Sequence, residues 1–126
     1  MSETRRILIV DDEPEILAVM QELLVARGYR VDAVANAAQA LEQVRNEIYD
    51  AAILDFNLPD MDGVMLHHEM RRLDGELAAR TLFISGQVQT DENLGYYSAF
   101  GGGFLPKPFD VHRFVAALQA LWEEGD

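Results

Sequence analysis

Residues 49–59, Tyr-Asp-Ala-Ala-Ile-Leu-Asp-Phe-Asn-Leu-Pro, decide the fold of this chain. The apolar run 51–54 ends in the carboxylate of Asp55, and Pro59 follows it as a turn signal. A short apolar run between turn residues indicates a strand that is buried on both faces of a sheet. An acid directly after such a strand stands at the carboxyl edge of the sheet, where open α/β sheets bind their ligands. Asp55 is therefore the first candidate for a functional residue.

Short apolar runs of the same kind predict four further strands, at residues 7–10, 31–34, 81–84 and 104–105. Apolar residues at helical spacing predict five helices, which begin at or after Pro14, Asn36, Asp62, Thr90 and Asp110. The apolar face of the second helix is expected to run through Ile48, and residues 74–80 are expected to form a loop. Strands that alternate with helices predict a parallel sheet built from βα units.

Several polar residues follow the ends of predicted strands that are distant from one another in the sequence. Right-handed crossovers place the carboxyl ends of all parallel strands on one edge of the sheet. That edge is expected to collect the side chains of Asp11, Asp12, Asp55, Ser85 and Lys107. Each of these residues alone has an ordinary explanation as a helix start or a turn residue, but their common position favours a site.

The chemistry of this set of residues points to phosphoryl groups. Three carboxylates that lie close together repel one another, and a bound divalent cation relieves that repulsion most simply. Oxygen ligands alone favour Mg²⁺ or a similar hard ion over Zn²⁺. The ammonium group of Lys107 and the hydroxyl group of Ser85 complete a phosphoryl site. An aspartate can serve there as a nucleophile and become an aspartyl phosphate, while cation and lysine stabilise the transferred group.

The composition of the chain limits what else it can do. Its 126 residues predict a single domain, 1–126, with a core from about 5 to 122. The formal net charge of −12 argues against direct binding to nucleic acid or to an anionic membrane. The absence of cysteine excludes disulfides, thiol catalysis and thiolate metal sites. Because no apolar run is long enough for a signal peptide or a membrane span, we expect a cytoplasmic protein without membrane insertion.

The chain resembles the receiver domain of bacterial two-component response regulators over essentially its whole length. Four segments carry the resemblance, in the order that the family has: ILIVDDEP (7–14), LDFNLPDMDG (54–63), FISG (83–86) and FLPKPF (104–109). The resemblance implies a flavodoxin-like (βα)5 fold, with a five-stranded parallel sheet of strand order 2-1-3-4-5 and helices on both faces.

The resemblance also implies a role for each residue of the predicted site. Asp55 matches the aspartate that takes a phosphoryl group from the phosphohistidine of a histidine kinase. Asp11 and Asp12 match the acidic pair that holds Mg²⁺, together with Asp55 and the backbone carbonyl group of Asn57. Lys107 matches the lysine that pairs with the phosphoryl group, and a cis Lys107–Pro108 peptide bond would aim it there.

Switching and partners follow from the same resemblance. Ser85 matches the switch hydroxyl and Phe104 the switch aromatic, which turns inward on activation, although tyrosine is frequent at that position. The implied signalling surface comprises the fourth helix, the fifth strand and the fifth helix of the fold. The implied partners are a sensor histidine kinase or a histidine phosphotransfer protein, and a downstream protein target or effector domain. Gly95 and the run 101–103 are expected to make this surface easy to reshape.

The sequence leaves other functions open. The chain could be a receiver cut from a hybrid histidine kinase or a longer regulator, or a binding module that works without phosphorylation. A Mg²⁺-dependent phosphatase that uses an aspartyl phosphate is a further class, but such enzymes need a second acid where Asn57 stands. We therefore expect no enzymatic activity beyond the chain's own phosphorylation and dephosphorylation. His67, His68 and His112 are expected to be surface or partly buried residues without a catalytic role.

Overall fold

The structure is a computed structural model that describes residues 4–123. The predicted domain bounds, 1–126, therefore extend beyond the described residues at both ends. The strands are Arg6–Val10 (β1), Arg30–Val34 (β2), Ala51–Asp55 (β3), Thr81–Ser85 (β4) and Gly103–Pro106 (β5). The helices are Pro14–Ala26 (α1), Ala37–Asn46 (α2), Gly63–Leu73 (α3), Gly75–Ala79 (α4), Asp91–Phe100 (α5) and Val111–Glu123 (α6).

The strands form one parallel sheet in the order β2-β1-β3-β4-β5. This order confirms the predicted flavodoxin-like fold. Side chains of a strand point alternately to the two faces of a sheet, so a strand that is covered on both faces must be apolar throughout. β1 shows this directly, because Ile7 and Ile9 belong to one core and Leu8 and Val10 to the other.

Helices cover both faces of the sheet, as predicted. On one face, buried side chains of α2, α3, α4 and α5 pack against the sheet, and on the other face α1 and α6 do so. Across residues 4–123, none of these helices combines the length and the apolar character that a membrane span requires. Each of α1, α2, α3, α5 and α6 begins at the carboxyl edge of the sheet after a short loop, whereas α4 follows α3 and leads into the amino end of β4.

Two local predictions were wrong. Residues 74–80 are not simply a loop, because α4 forms within them after Asp74, whose carboxylate accepts a hydrogen bond from the Leu77 backbone N–H at 3.1 Å. The described part of the chain therefore has six helices rather than five. The apolar face of α2 does not reach Ile48, which lies beyond the last residue of that helix and is 82% exposed. Tyr49 is buried in its place.

His67 is fully buried, which corrects the expectation that it lies at or near the surface. Its Nε2 lies 2.7 Å from the Ala78 carbonyl oxygen, and its Nδ1 lies 2.8 Å from the Tyr96 hydroxyl oxygen. A carbonyl oxygen can only accept, so Nε2 carries the proton and Nδ1 accepts from Tyr96. Burial lowers the pKa of His67, which favours this neutral form. The ring thereby ties α3 to α4 and α5, while His68 and His112 are exposed.

The glycine run 101–103 has a packing role that the sequence did not indicate. A Cβ at Gly101 would lie 2.6 Å from Cε1 of Phe83. A Cβ at Gly102 would collide with Cδ2 of Leu121 and would lie 3.3 Å from two backbone carbonyl oxygens. Gly103 has a φ of +145°, a conformation that side chains disfavour. The run lets β5 approach β4 and α6 closely, so these residues are confined by their neighbours.

We expect Gly102→Ala to lower the free energy of unfolding by about 1–3 kcal/mol, because the added methyl group overpacks a filled space. Gly95→Ala is the matched control, since a Cβ at that position in α5 would meet no atom within 4 Å. There the same change should raise the free energy of unfolding by up to about 1 kcal/mol, because glycine weakens a helix interior. Urea titrations of both variants measure the two effects, and a tolerant Gly102 would contradict the packing argument.

Candidate functional site

The predicted site residues come from the carboxyl ends of four strands. Asp11 follows β1, Asp55 ends β3, Ser85 ends β4 and Lys107 follows β5. Because the sheet is parallel, these positions share one edge. Asp11, Asp55 and Ser85 are buried there, at 0%, 3% and 0% exposure. Carboxylates are rarely this buried unless they are paired or bind a metal, so the arrangement requires a counter-charge.

Lys107 supplies the positive charge, and it is the only lysine in the chain. Its Nζ lies 2.9 Å from Oδ2 of Asp11, 3.2 Å from Oδ2 of Asp55 and 2.5 Å from Oε1 of Glu13. Only 9% of the lysine side chain is exposed, so these contacts form largely out of water. The Lys107–Pro108 peptide bond is cis, as predicted. The structure thus places the predicted lysine beside the predicted acceptor.

Glu13 is a residue of this cluster that the sequence reasoning missed. It is the N-terminal cap position of α1, and its side chain is 57% exposed. The signal was available, because Glu13 directly follows the acidic pair and precedes Pro14, which marks the first turn of a helix. A helix that begins after β1 must begin at the same edge as the site. The carboxylate therefore lies within reach of Lys107.

Three carboxylates are arranged so that they could hold a metal ion. Asp11, Asp12 and Asp55 each offer one oxygen, and these oxygens lie within 4.8 Å of one another. Asp12 is exposed, whereas the other two are buried. Oδ2 of Asp11 is buried and forms an ion pair with the Lys107 ammonium group at 2.9 Å, without hydrogen-bond geometry to any residue that the structure describes. A buried anionic oxygen beside two other carboxylates, with only one cation near them, fits a hard divalent cation.

The remaining predicted residues are Asn57, Ser85 and Phe104, of which Ser85 accepts a hydrogen bond at its carbonyl oxygen from the Lys107 backbone N–H at 2.8 Å. Asn57 is exposed, and its backbone N–H donates to Oδ1 of Asp55 at 3.3 Å. Oγ of Ser85 accepts a hydrogen bond from the Gln87 backbone N–H at 3.0 Å, which engages the hydroxyl group in the turn after β4. Phe104 is half-buried in β5 and stacks on Tyr97, with ring centroids 5.4 Å apart and planes inclined by 11°.

Gly63 brings the start of α3 against the end of β3. A Cβ there would lie 2.9 Å from the Asp55 carbonyl oxygen and from Cα of Phe56, which is too close for any side chain. Its own N–H donates to the Phe56 carbonyl oxygen at 2.7 Å. Asp62, just before it, caps α3 by accepting from the Met65 N–H at 2.8 Å. The tight return after Asp55 therefore requires glycine at position 63, and Asp62 stabilises the start of α3.

The family model described as the response regulator receiver domain matches residues 7–119. The chain belongs to this family. This match confirms the resemblance to receiver domains that four sequence segments indicate.

Similar proteins show where such receiver domains occur. The chain is 32% identical over 114 residues to the transcriptional regulatory protein KdpE of Mycobacterium tuberculosis, covering 90% of this chain and 49% of that protein. It therefore spans about half the length of that relative. It is also 32% identical over 114 residues to the chemotaxis protein CheY of Bacillus subtilis, covering 90% of this chain and 93% of that protein. The solved structure of a sensor protein from Polaromonas sp. JS666 is 32% identical with a TM-score of 0.79, covering 96% and 98% of the two chains.

The site of this receiver domain carries an excess of negative charge. Burial, followed by the charge of Asp11, raises the pKa of Asp55 to about 6, and Lys107 only partly opposes them. Burial acts to lower the pKa of Lys107, but the hydrogen bond to Glu13 and the neighbouring carboxylates outweigh it, so that pKa lies above its ordinary value. With Asp12 included, four carboxylates face one ammonium group. One lysine is therefore not enough to neutralise the site.

Replacing Asp55 with Asn should stabilise the receiver domain above pH 6 in metal-free buffer. The folded-state pKa of Asp55, about 6, lies above the unfolded value of about 4. The folded state then binds the extra proton between these two values, so wild-type stability falls as the pH rises through that window. The neutral amide of the Asp55→Asn variant avoids this loss, which amounts to about 3 kcal/mol at 1.36 kcal/mol per pKa unit.

The measurement is urea unfolding of wild type and Asp55→Asn from pH 4 to pH 8, with EDTA present. The stability difference should be small near pH 4, where both side chains are neutral in the folded state, and should reach its plateau above pH 6. A difference that instead favours wild type at high pH would mean that Lys107 stabilises the Asp55 anion more than burial destabilises it.

Proposed function

We propose that this receiver domain is a phosphorylation-switched signalling domain in which Asp55 accepts a phosphoryl group from phosphohistidine. The donor would be a sensor histidine kinase or a histidine phosphotransfer protein. One observation carries the proposal: a buried carboxylate at the end of β3 has the chain's only ammonium side chain 3.2 Å from its oxygen. Membership of the receiver family supports the same role for this position.

The transfer needs a nucleophile and a means of holding the phosphoryl charge. An oxygen of the Asp55 carboxylate bonds to phosphorus as the phosphorus–nitrogen bond of the donor breaks, and the electron pair of that bond returns to the imidazole. Asp11, Asp12 and Asp55 would hold Mg²⁺, with the Asn57 carbonyl group as a further ligand. When bound, this ion neutralises charge on the phosphoryl oxygens in the transition state. Lys107 stabilises the same oxygens with its ammonium group.

Switching follows from the new charge on Asp55. A phosphoryl oxygen is a stronger acceptor than the present surroundings offer, so the Ser85 hydroxyl group turns toward it as a donor. This movement takes the Ser85 hydroxyl group out of the turn after β4, where its Oγ accepts a hydrogen bond from the Gln87 backbone N–H. Phe104 then rotates inward from its stack on Tyr97 and buries its ring. Burying an aromatic side chain is worth about 1.5–3 kcal/mol, enough to shift a two-state equilibrium without locking it.

The signal would leave through the surface formed by α5, β5 and α6, toward a downstream protein target or an effector domain. Longer relatives such as KdpE are regulators of transcription and contain about twice the length of this chain. We therefore propose that the chain is either a stand-alone regulator or the receiver domain of a longer regulator or hybrid histidine kinase. With a net charge of −12, the domain itself makes no direct contact with nucleic acid or membrane. We propose that the phosphoryl transfer takes place in the cytoplasm.

A phosphatase acting on other molecules is the rival class. It would need an acid near Asp55 to protonate a leaving group, and the residue two positions on is Asn57. Glu13 is a further acid at the site, but its carboxylate is engaged by Lys107 at 2.5 Å. We therefore propose that the domain catalyses only its own phosphorylation and dephosphorylation. Absence of turnover with a phosphomonoester would separate the two classes.

Incubation with acetyl phosphate and Mg²⁺ should add one phosphoryl group to the wild-type protein, detectable by intact mass. Asp55→Asn should remove the adduct, because its amide is not a nucleophile. Asp50→Asn is the matched control, since Asp50 directly precedes the same strand at its opposite end. Wild-type labelling in EDTA should be strongly reduced. An undiminished adduct on Asp55→Asn would place the acceptor elsewhere and refute the proposal.

The proposed switch can be tested by NMR of the amides from Ser85 to Phe104, with and without beryllofluoride as a phosphoryl mimic. We expect shifts that extend along β4, α5 and β5 in wild type. Ser85→Ala should confine them to the neighbourhood of Asp55, because no hydroxyl group is left to follow the new charge. Ser98→Ala, which removes an exposed hydroxyl group from α5, should behave as wild type. Extended shifts in Ser85→Ala would show that the signal takes another route.

A further inference from the structure

The loop between β3 and α3 carries Asn57, and backbone contacts join the two ends of this loop. The Gly63 N–H donates to the Phe56 carbonyl oxygen at 2.7 Å, and Asn57 forms a single antiparallel bridge with Asp62. These contacts fix the two ends of the loop relative to β3. β3 pairs directly with β1, the strand that leads to the acidic pair, but neither of these two contacts involves residues 58–61 at the tip of the loop.

Asp60, near the tip of this loop, makes the contact that the base cannot provide. Its Oδ1 accepts from the Ala37 N–H at 2.9 Å, and its Oδ2 accepts from the Ala38 N–H at 2.9 Å. These are the first two residues of α2. The N-terminus of a helix presents unpaired N–H groups and a partial positive charge, so a carboxylate suits it well. The two N–H groups hold the pKa of Asp60 below its usual range, the larger effect coming from Ala37.

The helix does not need Asp60 as its ordinary cap, because it already has one. The Asn36 side chain accepts from the Gln39 N–H at 2.8 Å, which is the standard capping interaction. Asp60 instead approaches from a loop more than twenty residues away in the sequence. Its contact therefore joins two parts of the structure, whereas the contact of Asn36 is local to α2.

The second of these parts consists of α2 and β1, the strand that leads to the acidic pair Asp11 and Asp12. Ala40 and Val44 of α2 pack in the same core as Leu8 and Val10 of β1. β1 runs directly into Asp11 and Asp12. Through α2, Asp60 therefore links the loop of Asn57 to the strand that positions these two carboxylates.

We propose that Asp60 is a positioning residue for the divalent-cation site: its two-oxygen contact with the start of α2 holds the Asn57 loop in register with the acidic pair. This inference rests on the proposed function, in which the Asn57 carbonyl group is a ligand. Mg²⁺ demands near-ideal octahedral geometry, so the Asn57 carbonyl group must be held in one position when the ion binds. If binding had to order the loop, the lost conformational entropy would weaken the affinity for Mg²⁺. A loop already held in place by Asp60 binds without that loss of entropy.

The test is the dissociation constant of Mg²⁺ for the full chain, measured by isothermal titration calorimetry in physiological salt. Asp60→Ala should raise that constant about tenfold, the size typical of residues that orient metal ligands. Asp60→Asn should raise it less, because its one acceptor oxygen can keep one of the two hydrogen bonds. Since Asp60 itself is exposed, both variants are expected to fold, and circular dichroism checks this.

Two control variants separate positioning from simpler effects. Asn36→Ala removes the ordinary cap of α2 and should lower the melting temperature while leaving the Mg²⁺ dissociation constant unchanged. Glu42→Gln removes an exposed negative charge from α2 and should also leave it unchanged. Equal weakening in Asn36→Ala would assign the effect to helix stability, and equal weakening in Glu42→Gln would assign it to net charge. Either result would overturn the inference.

The wild-type titration distinguishes this inference from the proposed function. If wild type binds Mg²⁺ and is phosphorylated on Asp55, but Asp60→Ala binds Mg²⁺ equally well, only the role of Asp60 is refuted. If wild type neither binds Mg²⁺ nor accepts a phosphoryl group, the proposed function fails and the inference fails with it.

Discussion

The ammonium group of Lys107 among buried carboxylates is the interaction on which the rest of the structure depends. Exposed ion pairs such as Arg72–Glu69 contribute about 0–1 kcal/mol, because water already solvates both charges. Removing the single cation from a buried cluster of carboxylates costs about 3–5 kcal/mol, because the anions stay behind without a counter-charge. Lys107 is such a cation, since it contacts the buried carboxylates of Asp11 and Asp55. The fold therefore has to bring β1, β3 and the end of β5 together accurately.

The positive charge of Lys107 does not neutralise all the carboxylates of this cluster. Four carboxylates and one ammonium group leave an excess of negative charge, and burial, followed by the charge of Asp11, raises the pKa of Asp55. Such a site is poor for stability and well suited to binding cations, since a divalent ion would relieve the repulsion that folding created. The packing around it is correspondingly strict. Gly63 admits α3 against the acceptor strand, and the glycine run 101–103 admits β5 against β4 and α6.

A second layer of the structure lies between the site and the outer surface. Phe83 of β4 stacks on Tyr97 of α5, which in turn stacks on Phe104 of β5. His67 joins the same region from α3, with its ring 4.9 Å from that of Phe83. These aromatic contacts connect the strand that ends in Ser85 to the helix and strand that face solvent. A change at the site therefore has a packed route to the proposed signalling surface.

The sequence by itself determined the fold class and most of the site, because apolar runs and strand-end residues are local signals. Alternation of strands and helices was enough to place Asp11, Asp55, Ser85 and Lys107 on one edge. The partners of these residues were not readable in this way. The pairing of Glu13 with Lys107 depends on how α1 leaves the sheet, and the complete burial of His67 depends on a hydroxyl group and a carbonyl group from two other helices. The tertiary structure decided these points, since contacts between distant segments follow from packing geometry and leave no periodic pattern in the chain.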